Sequence, residues 1–116
     1  MYDAHSRESM KAEEIKDLAI DALDELKGQN ITVLDVRERS TITDYMVIAS
    51  GTSDRHVRAL ADKVSEKAKA SGVMPLGVED GRAASGWVLV DLVDVVVHVM
   101  RPDVREFYNL EKLWSV

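Results

Sequence analysis

Apolar residues recur at three- and four-residue intervals at Ile15, Leu18, Ala19, Ala22, Leu23 and Leu26, and Gly28 follows them. That spacing paints one face of a helix, and the glycine supplies its C-terminal stop. The period then changes. Ile31 to Val36 is short and β-branched, broken by Asp35, and a polar stretch from Arg37 to Thr43 leads to a second apolar run, Tyr45 to Ala49. These two runs predict adjacent, antiparallel strands. The small polar junction Ser50-Gly51-Thr52-Ser53-Asp54 opens a second helix, in which Val57, Leu60, Ala61, Val64 and Ala68 recur until Gly72. Pro75 to Glu79 predicts a brief third strand, so the order strand, helix, strand predicts a right-handed crossover and a parallel pair. The segment Glu79-Asp80-Gly81-Arg82 reads as a polar turn. Strands over 87–92 and 95–100 follow, with Val93 and Asp94 as the tight connection of a hairpin. Pro102 opens one last helix, where its missing N–H costs nothing.

The order predicts an α/β (α+β) architecture, a mixed five-stranded sheet flanked by helices. Residues 1–8, Met1 to Glu8, carry no apolar periodicity and read as a loose tail, which leaves 9–116 as a single domain. A chain of 116 residues, 46% apolar, suffices for one modest core and not for two. No repeat, low-complexity tract or linker interrupts it.

Composition narrows the function classes. The chain has no cysteine, so it can form neither a disulfide framework nor a thiolate metal site, and a reducing compartment is expected. The longest apolar region, 87–100, is broken by Asp91, Asp94 and His98, and the N-terminus is polar and charged. Neither a signal peptide nor a membrane span is expected, and the protein reads as cytoplasmic. A formal net charge of −6 opposes long-range attraction to nucleic acid, whose affinity is dominated by cation–phosphate contacts. The same charge would speed encounter with a basic protein. Locally, Arg55, Arg58, Lys63, Lys67 and Lys69 make the helix over 54–71 positive, which reads first as a solvated face and only second as a phosphate-binding one.

Ser50-Gly51-Thr52-Ser53 ends a strand and opens a helix, the geometry in which backbone N–H groups can hold a phosphate. No Gly-x-x-x-x-Gly-Lys or Gly-x-Gly-x-x-Gly string accompanies it, and capping of the helix by Thr52 or Ser53 is the favoured reading. Nucleotidyltransferases carry a similar Gly-Ser turn and hold metal on two acids alternating along a strand. Here Asp91 and Asp94 stand three apart across a turn and cannot share a strand face in that way. No catalytic residue, metal site or cofactor is assigned. His98 shares its strand face with Val96 and Met100 and reads as a hydrogen-bonded packing residue. Asp35, Asp44, Glu79 and Asp91 read as surface or turn residues.

Both tryptophans lie between Gly86 and Trp114, and Trp is enriched at the centres of binding surfaces. Trp87, Leu89 and Asp91 share one face of their strand, and Val88, Val90 and Leu92 share the other. If helices cover the valine face, Trp87 stands partly exposed on the sheet; alternatively it packs under the C-terminal helix against Phe107 or Leu110. Phe107, Leu110 and Trp114 form a helical stripe that lids the sheet, leaving Tyr108 able to join Trp87 and the acids in a contact surface.

From about Leu18 to Trp114 the chain resembles the ribosomal silencing factors, the Iojap-like family. The resemblance is carried by Leu34-Asp35-Val36, Ile42-Thr43-Asp44-Tyr45, Ser50-Gly51-Thr52-Ser53, His56-Val57, Gly77-Val78-Glu79, Gly81, Gly86-Trp87, Val90-Asp91, Asp94-Val95, Val97-His98-Val99, Tyr108, Leu110-Glu111 and Leu113-Trp114. Val93 departs from the family, which often has glycine there. The resemblance implies a nucleotidyltransferase-like mixed sheet without the catalytic acids. It also implies a cytosolic translational repressor that binds the large ribosomal subunit on its fourteenth protein, at the intersubunit face. Such a protein blocks joining of the small subunit in starvation or stationary phase, and members often form homodimers. The expected partner-binding residues are Trp87, Asp91, Asp94 and Tyr108. The alternative is a nucleotide-handling enzyme with Ser50 to Ser53 on phosphate and Asp91 or Glu79 on magnesium; a third reading is an RNA binder using the helix over 54–71.

Overall fold

Burial follows the apolar stripes. In helix α1 (Ala12–Glu25) the buried residues are Ile15, Leu18, Ala19, Ala22 and Leu23, and in α2 (Asp54–Ala70) they include Val57, Leu60, Ala61, Val64 and Ala68. The computed structural model describes residues 10–80 and 86–114, so the expected tail and the Gly81-Arg82 part of the expected turn lie outside it. The Glu14 carboxylate accepts the Lys11 N–H at 2.9 Å at the start of α1, and Ser53 Oγ accepts the His56 N–H at 3.1 Å at the start of α2. Each satisfies a donor that a helix start leaves unpaired. The α1 stop differs from the expected one in detail. Lys27, not Gly28, takes the left-handed conformation (φ 62°), while a Cβ on Gly28 would sit 3.0 Å from the Leu23 carbonyl. Gly28 is there for close approach.

Five strands form one mixed sheet, β1 (Gln29–Asp35), β2 (Tyr45–Ser50), β3 (Gly77–Asp80), β4 (Trp87–Asp91) and β5 (Val95–Met100), in the order β1-β2-β5-β4-β3. The β1–β2 and β4–β5 pairs are antiparallel, as the sequence predicts. The crossover is corrected: among the described residues β3 pairs with β4 alone, and the parallel partner of β2 is β5. The reason lies in the residues. Val-Val-Val-His-Val-Met of β5 is apolar on both faces and suits a central slot, whereas Gly-Val-Glu-Asp of β3 suits an edge, with Val78 40% exposed.

Strand alternation makes two cores. Tyr45, Val47, Ala49, Val88, Val90, Val95, Val97 and Val99 meet α1 and α2 on one face. On the other, Val36, Met46, Ile48, Met100 and Val104 form a smaller cluster with Leu34, Trp87, Leu110 and Trp114 against it. Full burial of each such Val, Leu or Ile contributes about 1.5–3 kcal/mol.

The C-terminal segment is the second correction. The single expected helix is two, α3 (Pro102–Tyr108) and α4 (Leu110–Trp114), separated by Asn109 in the left-handed conformation (φ 49°, ψ 53°). Asn visits that region because its short polar side chain tolerates it. The break also dissolves the expected stripe: Leu110 and Trp114 pack on the smaller core, but Phe107 is 79% exposed and lids nothing.

Candidate protein-docking surface

Gly86 sets the start of β4. Its φ of 86° favours glycine, and a Cβ there would lie 2.9 Å from Arg101 Nε and 3.1 Å from Asp54 Oδ1. Arg101 reaches Asp54 at 3.0 Å and Asp103 at 3.2 Å, so the chain enters β4 under an ion-paired arginine. Trp87 follows on the face opposite α1 and α2, half-buried, its neighbours Val88 and Val90 buried on the other side.

Trp87 is held on two sides. Its indole Nε1–H donates to His98 Nδ1 at 3.1 Å, and its ring lies 4.8 Å from that of Tyr108 at a 50° tilt. Tyr108 in turn meets Phe107 edge-on at 5.0 Å. Both expected arrangements are therefore partly realised: Trp87, like Leu110, packs against the smaller core, yet is only half-buried, and Phe107 meets Tyr108 and not Trp87. His98 is 6% exposed and hydrogen-bonded, and its burial pushes its pKa down to about 4. It is neutral at pH 7.

The expected site residues fall into two groups. Trp87 and Tyr108 come together, whereas Asp91 lies four residues along β4, about 13 Å away at 3.3 Å per residue, beside the hairpin turn with Asp94. Leu89 lies between them on the same face, half-buried. Asp91 Oδ1 accepts the Val93 N–H at 2.8 Å, and the Asp94 carbonyl accepts the N–H groups of Asp44 and Tyr45 at 2.8 and 3.1 Å. Val93 has φ 73° and sits under a bond from the Asp94 N–H to the Leu92 carbonyl, a strained γ-turn for a β-branched residue. That explains why glycine is at home there.

The Ser50–Ser53 junction is occupied by its own chain. The Gly51 N–H donates to the Met100 carbonyl at 3.0 Å, the Thr52 N–H to His56 Nδ1 at 2.9 Å, and Ser53 caps α2. A Cβ on Gly51 would meet Val57 at 2.9 Å, so the glycine lets the loop pack on α2. Capping, the favoured sequence reading, is what the geometry has. Among the described residues no group of three or more His, Asp or Glu side chains could hold a metal ion. On α2, Lys63 reaches Glu25 at 3.5 Å and Glu66 at 3.3 Å, and Lys67 pairs with Glu25, so part of its positive charge faces the Glu25 carboxylate at the end of α1.

Sequence reasoning passed over Arg105 as a functional support. It is 9% exposed and donates to Ser50 Oγ at 2.9 Å, to Thr32 Oγ1 at 3.0 Å and twice to Glu111, joining β1, β2, α3 and α4. Glu111 is six residues away, a spacing that faces Arg105 only because Asn109 breaks the helix.

Residues 9–116 match the family described as Ribosomal silencing factor during starvation. A ribosomal silencing factor of Chromobacterium violaceum is 47% identical over 106 residues, with 91% of this chain and 86% of the relative covered. A crystal structure of a Chromobacterium violaceum protein superposes with a TM-score of 0.86 at 47% identity, covering 90% of this chain and 87% of that one. A mouse relative, named Mitochondrial assembly of ribosomal large subunit protein 1, is 36% identical over 103 residues, with 86% of this chain and 45% of the relative covered. Sequence, strand order and these matches agree, and the chain belongs to the ribosomal silencing factor family.

Proposed function

We propose that the protein represses translation by steric occlusion: it binds the fourteenth protein of the large ribosomal subunit, at the intersubunit face, and keeps the small subunit from joining when nutrients are scarce. Trp87 and Tyr108 supply the apolar anchor, and Asp91 and Asp94 supply polar contacts to a basic neighbour. No reaction and no cofactor are involved, the protein works in the cytoplasm, and it is a homodimer when not on the ribosome. The observation that carries this reading is the indole of Trp87, held by His98 and Tyr108 yet only half-buried, on a strand face that also carries Asp91. Large aromatics so held are the usual anchors of protein interfaces. The net charge of −6 favours a basic protein over bare RNA. The name of the mouse relative supports the large subunit as the half engaged.

The nucleotide-enzyme reading has little to stand on, because the Gly51 and Thr52 N–H groups of the loop it needs are already spent within the chain. Co-sedimentation with purified large subunits tests the proposal. Trp87→Ala is expected to weaken binding at least tenfold, since truncating an anchor costs about 2 kcal/mol or more. A folded Trp87→Ala protein that co-sediments as well as the wild type removes Trp87 from the site.

A further inference from the structure

We propose that His98 is a positioning residue of the docking surface: its neutral imidazole fixes the orientation of the Trp87 indole by accepting the indole proton at Nδ1. This rests on the proposed docking role of Trp87. An indole nitrogen is a donor only, so the 3.1 Å bond requires His98 Nδ1 to be the acceptor and leaves the ring's proton on Nε2. The acceptor is itself buried in the sheet. His98 sits in β5 opposite Leu89 of β4 and Ile48 of β2, and is 6% exposed. Its ring centroid is 5.8 Å from that of Trp87 at a 49° tilt, so contact and hydrogen bond come from the same pair.

The arrangement solves a specific problem. An indole on an open sheet face has several staggered orientations, and binding one of them costs the entropy of selecting it. Tyr108 closes one side of Trp87 but offers no directional constraint on the indole nitrogen. His98 supplies that direction from beneath, outside the contact surface itself. A partner therefore meets a pre-set anchor although it never touches His98.

The test uses the full chain and two variants, His98→Leu, which fills space without an acceptor, and His98→Gln, which keeps one. In the isolated protein, the Trp87 indole proton, assigned by its loss in Trp87→Phe, should be protected from exchange in the wild type, unprotected in His98→Leu and partly protected in His98→Gln. In large-subunit binding, His98→Leu should weaken affinity about three- to tenfold, the effect of one net hydrogen bond, and His98→Gln should recover part of it. In a Trp87→Phe background the same His98 substitutions should change binding less than about twofold, because the bond they would remove is already gone. An indole proton that exchanges at the solvent rate in the wild type, or a His98→Leu loss equally large beside Phe at position 87, overturns the inference. If the wild type has the protected proton but binds no large subunits, the docking role of Trp87 falls and the inference, which rests on it, falls with it.

Discussion

Arg105 Nη1 lies 2.9 Å from Ser50 Oγ across 55 positions of sequence, and this bond ties the C-terminal helices to the end of β2. The same guanidinium reaches Thr32 and Glu111, so one buried cation holds α3, and with it Tyr108, over the sheet. Removing one partner of a buried charged network leaves the others unsatisfied. Arg105→Ala is expected to cost about 2–3 kcal/mol in urea unfolding, and Arg105→Lys to recover only part, because an ammonium cannot reproduce the planar fork. An Arg105→Ala midpoint equal to the wild type's would show that the network contributes nothing.

Glu111 gives this network a pH signature. The Arg105 guanidinium beside it holds its carboxyl below the ordinary carboxylate value. A depressed carboxylate stabilises the fold above the unfolded pKa of 4.5, and that contribution is lost as pH falls through the folded value. The stability gap between wild type and Glu111→Gln should therefore be full at neutral pH and shrink as pH drops below 4.5. A gap that stays constant into acid contradicts the pairing.

His98 acts over a different window. Burial lowers its pKa from 6.5 to about 4, so the unfolded chain binds its proton first as pH falls. Stability from this group is complete above pH 6.5 and declines between 6.5 and 4, by about 3 kcal/mol in all. Unfolding curves for His98→Gln should be flatter than the wild type's across that window. Parallel curves would mean that His98 titrates in the folded state as it does in the unfolded one.

Val93 is strained in its turn, with φ 73° on a β-branched residue. Glycine removes that cost but adds backbone entropy to the unfolded chain. Val93→Gly is expected to raise stability by about 1 kcal/mol net, read as a higher melting temperature. An equal loss would mean that the exposed valine side chain makes contacts outweighing its backbone strain.

Asp91→Asn with Asp94→Asn tests the acidic end of the surface. The amide oxygen that replaces the Asp91 carboxylate can still accept the Val93 N–H, so the turn is retained. Association with large subunits should slow and become less sensitive to salt, as expected when charges at the edge of an interface are removed. Unchanged association rates at low salt would exclude these carboxylates from the encounter.

The two long helices, both hairpin-like strand pairs and the opposed faces of β4 were legible because each rests on local periodicity. Ile15 to Leu26 and Val57 to Ala68 declare one buried stripe apiece. What was not legible depends on contacts between distant segments. Nothing near Gly77 states that β5 and β4 will occupy the places between β3 and β2; that follows from competition among strands for a slot buried on both faces. Asn109 carries a weak local signal for a break, but the pairing of Arg105 with Glu111, and the exposure of Phe107, follow only once the break has happened. The candidate site was half visible: the residue types pointed to Trp87, while its lock on His98 needed the β4–β5 register, and the distance between the aromatic and acidic ends needed the strand's length.

A subunit-joining assay with purified ribosomal subunits, run with rising amounts of this protein, bears most directly on the idea of an inert obstacle. Joined ribosomes should fall as the protein is added, with no nucleotide required, and Trp87→Ala should need at least about tenfold more protein for the same effect. Full joining in the presence of excess folded wild-type protein would contradict the account.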